Sequence, residues 1–457
     1  MTTMRQGIKQ IPGVFEFHPD ESSKKLIVYF SSASAKRLEG VSQIEKYRAN
    51  KLFIRDPGRE WYNGPVEDIA SGPEELCECI QDVVALFDNK DITFAGSSMG
   101  AYGAILFGAL LDIPRIVAIA PQVVIHPLLP NSPRQEAKYP DLASLLKAVK
   151  PRSKIKIWFG CGELLDVYQS MRCQDIDNCE IYGIPNSLHN VLAHFKSLNL
   201  VERFFDHAIL GKPFDFQFAD LNGIPLAEIC VAIDKAYLEG DALGSNDVLK
   251  GLVHPLLTGA LAYQIGLNHK KASENEAAIE ALTEAVKLNP RNYDAFFALG
   301  GVCLSTGDFD GAIRNYALAI EFFPGKNVDY VTQLAGAYRL KKDYHGALMH
   351  IHGAMKMEIP YAKTRYFAGL IYRDMGRDEE AIRYFSEALK LQPRFKAVAE
   401  QLSFVIGRYC TKELKNRFDI SAQVSAKVAQ ATLVVKTAAI SALQYCFDYV
   451  EITSMAA

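Results

Sequence analysis

The chain has 457 residues, 49% of them apolar, with a formal net charge of -3 and a pI near 6.4. That length allows two or three domains with real cores, and the apolar share excludes a largely disordered chain. The near-neutral charge gives no argument for nucleic acid as a bulk partner.

From the N-terminus, MTTMRQGIKQIPG lacks the apolar stretch of a secretory signal. Short apolar runs then predict strands at 26–30, 51–54, 92–95, 116–119, 155–159 and 179–182, separated by helical stretches such as 74–87 and 101–111. Near-continuous apolar strands are those covered on both faces, so a mostly parallel sheet with flanking helices is expected. Residues 92–111 carry no charge and could pass for a membrane span, but four glycines favour a strand, a tight turn and a buried helix. The nine cysteines, including the C-x-C of Cys77 and Cys79 and the pair Cys173 and Cys179, complete no metal-ligand pattern. A cytoplasmic protein with reduced thiols, no cofactor, no metal and no membrane span is expected.

Gly96-Ser97-Ser98-Met99-Gly100 fits G-x-S-x-G between a predicted strand and a predicted helix. Such a turn crowds the backbone, so glycines flank a serine projected above the sheet edge. The helix dipole and the Met99 amide favour an anion there. The alternative is a close-packed turn without chemistry. Later in the chain, Glu163 and Asp166 follow one strand and His189 follows the next, so both would reach the same edge as Ser98.

With these residues in place, the region from about 10 to 210 resembles the α/β-hydrolase superfamily, whose nucleophile, acid and histidine follow in that order. The resemblance implies that His189 takes the Ser98 proton during attack on an acyl carbonyl. It places the acid at Glu163, which would hold the imidazole, with Asp166 as the competing position. It also implies a second oxyanion amide in the loop after residues 26–30, at Ser31 or Ser32, beside that of Met99. His126, His194 and His207 are expected to be structural.

Residues 55–64, RDPGREWYNG, should lie at the same edge. Arg55, Arg59, Trp61 and Tyr62 suit a polar, planar ligand, although Arg–Asp pairing within an ordered loop would use the same residues. Gln122 is a further candidate pocket contact.

The second half loses its strand-like runs and gains a repeat. Ala278, Ala312, Ala347 and Ala381 recur at intervals of 34, 35 and 34 residues, with prolines at 290, 324 and 393. A period near 34 with small residues at helix crossings marks tetratricopeptide repeats. In that register Tyr263, Phe297, Thr332 and Tyr366 share one position, and Lys270, Leu304, Arg339 and Arg373 another. In the tetratricopeptide family these positions line the inner groove. Tyr263, Phe297, Tyr366, Lys270, Arg339 and Arg373 would suit an extended, acidic protein or peptide ligand, unless the basic residues form a solvated face. The expected division is a hydrolase-like domain at 1–212, a helical linker or degenerate entry repeat at 213–258, about four repeats at 259–395 and a helical cap at 396–457.

Three functions fit this organisation. The first is a serine hydrolase acting on an ester, with repeats that bind a partner or position a macromolecular substrate. The second is transfer of an acyl group to a glycan. The third is a non-catalytic scaffold.

Overall fold

Leu26–Phe30 reads LIVYF, and each of its residues is buried. A strand with no exposed face needs cover on both sides, and the chain provides it. The structure, a computed structural model, describes residues 10–33, 38–66, 68–88, 91–323, 325–357 and 361–418. Among these, strands β1 (Phe15–His18), β2 (Leu26–Phe30), β3 (Asn50–Ile54), β4 (Ile92–Ser97), β5 (Arg115–Ile119), β6 (Lys154–Gly160) and β7 (Cys179–Ile184) form one sheet, ordered β1-β3-β2-β4-β5-β6-β7. Strands β2 to β7 are parallel, and β1 joins the edge antiparallel to β3. The six expected strands are all present. The seventh, β1, reads FEFH, too short and too polar to show as an apolar run.

Helices α1 (Val41–Ile44), α2 (Pro73–Val84), α3 (Met99–Leu110), α4 (Leu142–Val149), α5 (Leu164–Met171), α6 (Val191–Ser197) and α7 (Val201–Leu210) flank the sheet. Strand residues alternate between two cores. Leu26, Val28 and Phe30 pack with α2, α3 and α4, whereas Ile27 and Tyr29 pack with α1, α6 and α7. Connections run from β2 to β3 on one side and then to β4 on the other. A crevice therefore opens beyond the C-terminal ends of β2 and β4, where open parallel sheets hold ligands.

The stretch expected as a linker is packed rather than loose. Phe214, Phe216 and Phe218 stack among themselves and against Phe195, Phe204 and Tyr182. Next come α8 (Leu226–Tyr237), α9 (Ala242–Lys250), α10 (Thr258–Lys271) and α11 (Asn275–Leu288). Ile229, Ala232 and Ile233 of α8, Leu249 of α9 and Leu261 of α10 share a core with Leu164, Val167, Tyr168 and Met171 of α5. Tyr168 also donates to Asp234 at 3.1 Å, and Asn289 donates to the Asn186 carbonyl at 3.1 Å. One compact unit thus extends from the sheet through Ala295. The expected boundaries at 212 and 258 do not separate units, because apolar side chains on α8 and α10 need α5 to cover them. The division falls inside α12 (Tyr293–Ser305), between Ala295 and Phe296.

The second unit continues with α13 (Phe309–Phe322), α14 (Val328–Leu340), α15 (Tyr344–Met355), α16 (Ala362–Asp374), α17 (Asp378–Leu391) and α18 (Lys396–Phe418). Their pairing has the expected repeat register. Ala312, Tyr316 and Ala319, then Ala347, Ile351 and Ala354, then Ala381, Phe385 and Ala388 are all buried. Ala278, Leu282 and Ala285 of α11 hold the same positions in the first unit. Pro324 and the part of the expected cap beyond 418 lie outside the described residues. Among those described, no helix is long and apolar enough to cross a membrane.

Ile233 is fully buried between α8 and α5. Ile233→Ala is expected to destabilise the first unit by about 2–5 kcal/mol. In chemical denaturation, fluorescence from Trp158 in the sheet should shift its midpoint together with helical circular dichroism.

Candidate active site

The site begins with a steric conflict. A Cβ at Gly96 would overlap the Gly100 carbonyl, and one at Gly100 would overlap the Phe30 carbonyl at the end of β2. With no side chains there, β4 turns into α3 within one residue. That residue, Ser98, takes φ 54° and ψ -123°, a conformation that costs a non-glycine residue of order 1–3 kcal/mol. Its hydroxyl is lifted above the sheet edge.

His189 arrives from the loop after β7. The Ser187 carbonyl in that loop accepts from the Gly162 amide at 2.7 Å, tying it to the turn after β6. Asn190 caps α6 by accepting from the Ala193 amide at 3.0 Å. Held this way, His189 Nε2 lies 2.9 Å from Ser98 Oγ, and His189 Nδ1 lies 2.8 Å from Asp166 Oδ1. In the neutral ring, the Asp166 oxygen on Nδ1 places the proton there and leaves Nε2 to accept from the serine. The hydroxyl can therefore lose its proton to the ring as it attacks an electrophile.

The acid touching the ring is Asp166, not the expected Glu163. Glu163 occupies the cap position of α5, and its carboxylate accepts from the His189 backbone amide at 3.0 Å. Asp166, one turn into α5, points at the ring. Burial alone would push His189 down, but the Asp166 charge and hydrogen bond, with Glu163 and Asp294, raise it to about 9. Burial, then Asp166 and Asp294, push the Glu163 carboxyl up to about 8. Asp166 thus holds the ring nitrogen of His189, and Glu163 the backbone amide of the same residue.

A cavity of about 420 Å³ opens over the serine, lined by Tyr29, Ser32, Glu39, Gln43, Trp61, Ser98, Asn131, His189 and Asn190 among others. The Met99 amide, the first in α3, has no intrahelical acceptor and is placed to receive negative charge. The expected second donors are otherwise engaged. The Ser31 amide bonds the Ile54 carbonyl at 2.8 Å. The Ser32 amide bonds Glu39 Oε2 at 2.8 Å, and its hydroxyl bonds Glu39 Oε1 at 2.9 Å. Sequence reasoning missed Glu39, although its position in the loop after β2 was a usable signal.

Loop 55–64 follows the structural alternative. Asp56, 3% exposed, accepts from the amides of Arg59, Glu60 and Tyr62. These bonds hold Arg59, Trp61 and Tyr62 at positive φ. Arg55 Nε bonds the Gly13 carbonyl at 2.7 Å, and Tyr62 is buried with its hydroxyl on the Ser31 carbonyl. Neither Arg55 nor Arg59 lines the cavity. Trp61 does, and its indole donates to Gln122 Oε1 at 3.3 Å. Gln122 Nε2 in turn lies 3.0 Å from Ser98 Oγ and 3.4 Å from His189 Nε2. The structure therefore brings Gln122 against Ser98 and His189, behind the residues that line the cavity.

In the repeats, the expected ligand-facing pattern serves internal contacts. Arg339 and Arg373 both bind Asp374, and Arg373 also binds Gln401. Phe297 stacks on Tyr330 at 4.5 Å, and Tyr366 packs near Phe385 and Phe395. Tyr263 is half-buried and Lys270 exposed on α10.

By NMR, the His189 ring is expected to titrate above its ordinary 6.5, toward about 9. Asp166→Asn should lower that value by roughly 1–3 pH units, because the charge favouring the imidazolium is lost while burial remains.

Two family models match the chain, both described as tetratricopeptide repeat, over residues 263–327 and 362–395. A tetratricopeptide repeat-containing protein of Methanocaldococcus jannaschii is 28% identical over 145 residues, covering 30% of this chain and 25% of that protein. An accessory Sec system protein of Staphylococcus aureus is 31% identical over 119 residues, 24% of this chain and 22% of its own length. The chain thus spans about a quarter of the length of these two relatives. Among solved structures, a tetratricopeptide repeat protein from Parabacteroides merdae aligns with 15% identity and a TM-score of 0.37, over 48% of this chain and 91% of its own. The C-terminal part is a tetratricopeptide array, a type of scaffold that binds proteins.

Proposed function

We propose that the first unit is an acyl-transfer site of the α/β-hydrolase kind, with Ser98 as nucleophile, His189 as general base and acid, and Asp166 as the group orienting the imidazole. The observation that carries this reading is the continuous line from Ser98 Oγ through His189 to Asp166, at 2.9 and 2.8 Å, on a strained strand-to-helix turn. Ser98 Oγ attacks an ester carbonyl while its proton passes to His189 Nε2. The electron pair of the carbonyl moves to oxygen, beside the Met99 amide. Collapse expels the alcohol, which takes the proton from Nε2, and water repeats the sequence on the acyl-enzyme. The repeats would bring a protein partner or a macromolecular substrate to the chain.

A second reading, transfer of the acyl group to a sugar hydroxyl, draws support from the cavity lining. Gln43 and Asn131 supply hydrogen-bonding groups suited to a hydroxylated acceptor. With p-nitrophenyl acetate as donor, added sugars should divert acetyl from water if this reading holds, and leave the acetate yield unchanged if water is the acceptor.

A fluorophosphonate probe tests the site. Wild-type protein is expected to be labelled at Ser98, and Ser98→Ala not at all. Asp166→Asn should lower the labelling rate by on the order of 10⁴-fold, whereas Glu163→Gln should stay within about tenfold, since it keeps an acceptor for the His189 backbone amide. Native protein that resists labelling and hydrolyses no small ester would leave a protein-binding scaffold with a silent site. The sign of the pH dependence follows from the base. His189 works unprotonated, and Asp166 raises it. Labelling should therefore climb with pH above 6.5, and Asp166→Asn should move that climb to lower pH.

A further inference from the structure

We propose that the side-chain amide of Gln122 is the second oxyanion donor of this site, acting with the backbone amide of Met99. This inference rests on the acyl-transfer reading above and identifies a catalytic group that the resemblance to other hydrolases does not supply.

A tetrahedral intermediate is stabilised by more than one donor, and among the described residues of the loop after β2 the two expected donors, Ser31 and Ser32, are engaged. The Ser31 amide completes the sheet through the Ile54 carbonyl. The Ser32 amide and hydroxyl are both directed at the Glu39 carboxylate, at 2.8 and 2.9 Å. An oxyanion in that place would meet another negative charge, so these donors cannot stabilise it while Glu39 is seated.

Gln122 meets the requirement from the other side. It follows β5, the neighbour of β4, and is 3% exposed. Its orientation is set by chemistry. The Trp61 indole can only donate, so the Gln122 end facing it, at 3.3 Å, must be the carbonyl oxygen. The NH2 end therefore lies nearer Ser98 Oγ, at 3.0 Å, with the carbonyl oxygen 3.4 Å from the same hydroxyl. Trp61 is itself held in place. It is 5% exposed, its carbonyl accepts from Asn63 Nδ2 at 2.8 Å, and Asp56 fixes the loop on both sides of it. This preorganisation lets a donor act without a reorganisation cost during reaction.

With the ring neutral, Gln122 donates to the serine oxygen at 3.0 Å, and the hydroxyl proton turns toward His189 Nε2. On attack the Oγ–carbon bond forms, the hydroxyl proton goes to Nε2, and the carbonyl electron pair becomes the oxyanion. That oxygen is bonded to the same carbon as Oγ, so a small rotation of the Gln122 amide transfers its hydrogen bond from Oγ to the new anion.

The test uses the full chain, with p-nitrophenyl acetate turnover and fluorophosphonate inactivation measured side by side. Gln122→Met keeps the length of the side chain and removes the donor. Gln122→Glu keeps the shape and replaces the donor with a carboxylate. Both are expected to lower kcat by about 10²–10³-fold, with KM within a few-fold of wild type and thermal melting preserved. Trp61→Phe, which frees the amide to flip, should give a smaller loss of kcat. A purely structural role would move KM and melting together with kcat. The proposal is overturned if either well-folded Gln122 variant retains wild-type kcat. It is also overturned if Glu39→Gln raises kcat while Gln122→Met leaves it unchanged, which would return the role to the Ser32 amide. Wild-type protein without Ser98-dependent turnover would overturn the acyl-transfer reading itself, and this inference with it.

Discussion

Where β4 gives way to α3, two stretches of backbone and the end of β2 occupy nearly the same space. Positions 96 and 100 admit no side chain for that reason. The energy for this crowding comes from α3, whose residues from Met99 to Ala109 are all buried. Burial of that much apolar surface outweighs the strain of one residue at positive φ by a wide margin. Ser98 has no freedom to relax without withdrawing α3 from the sheet. Its position then sets everything around it: the Met99 amide at the head of the helix, Gln122 from the neighbouring strand, and the distance that the loop after β7 must span to bring in His189.

The acid depends on a different part of the chain. Asp166 lies on a short helix with one face on the sheet unit and another covered by α8 and α10. Its Oδ2 is buried without a hydrogen-bond partner, an arrangement that costs free energy unless a charge compensates it. The imidazole ring and the N-terminal turn of α5 provide that compensation. An eight-residue helix is short to hold such a group alone, and its packing against the first helices of the array explains how it does. Asp294, in the first turn of α12, acts through its charge on Glu163 and His189. Helices that read as the start of a binding array thus also support the candidate site.

Much of this was legible in the sequence. The six apolar strands, the serine turn, the histidine loop and the repeat register all announce themselves through local patterns of residue type. What escaped depends on groups distant in sequence. The order of Glu163 and Asp166 along α5 does not reveal which one faces the ring, since the cap position aims one carboxylate at a backbone amide and leaves the other for the imidazole. The stretch from residue 213 reads as a helical linker or degenerate entry repeat. Yet the alternation of Phe214, Phe216 and Phe218 is a strand-like signal that an apolar surface awaits one side of it.

Three carboxylates account for the remaining differences. Asp56 binds the amides of the loop that looked like an arginine-aromatic ligand site. Glu39 occupies the Ser32 amide that looked like an oxyanion donor. Asp374 binds both arginines that looked like groove cations. In each case the motif identified a real donor, and an acidic residue already satisfies it in the folded chain. Buried or half-buried donors are rarely left without an acceptor, so a sequence pattern rich in donors is only half of an argument about ligands. The other half is which acceptor the fold brings to them. Gln122 passes that second test because its own carbonyl is the end engaged by Trp61, which leaves its donor facing Ser98 Oγ.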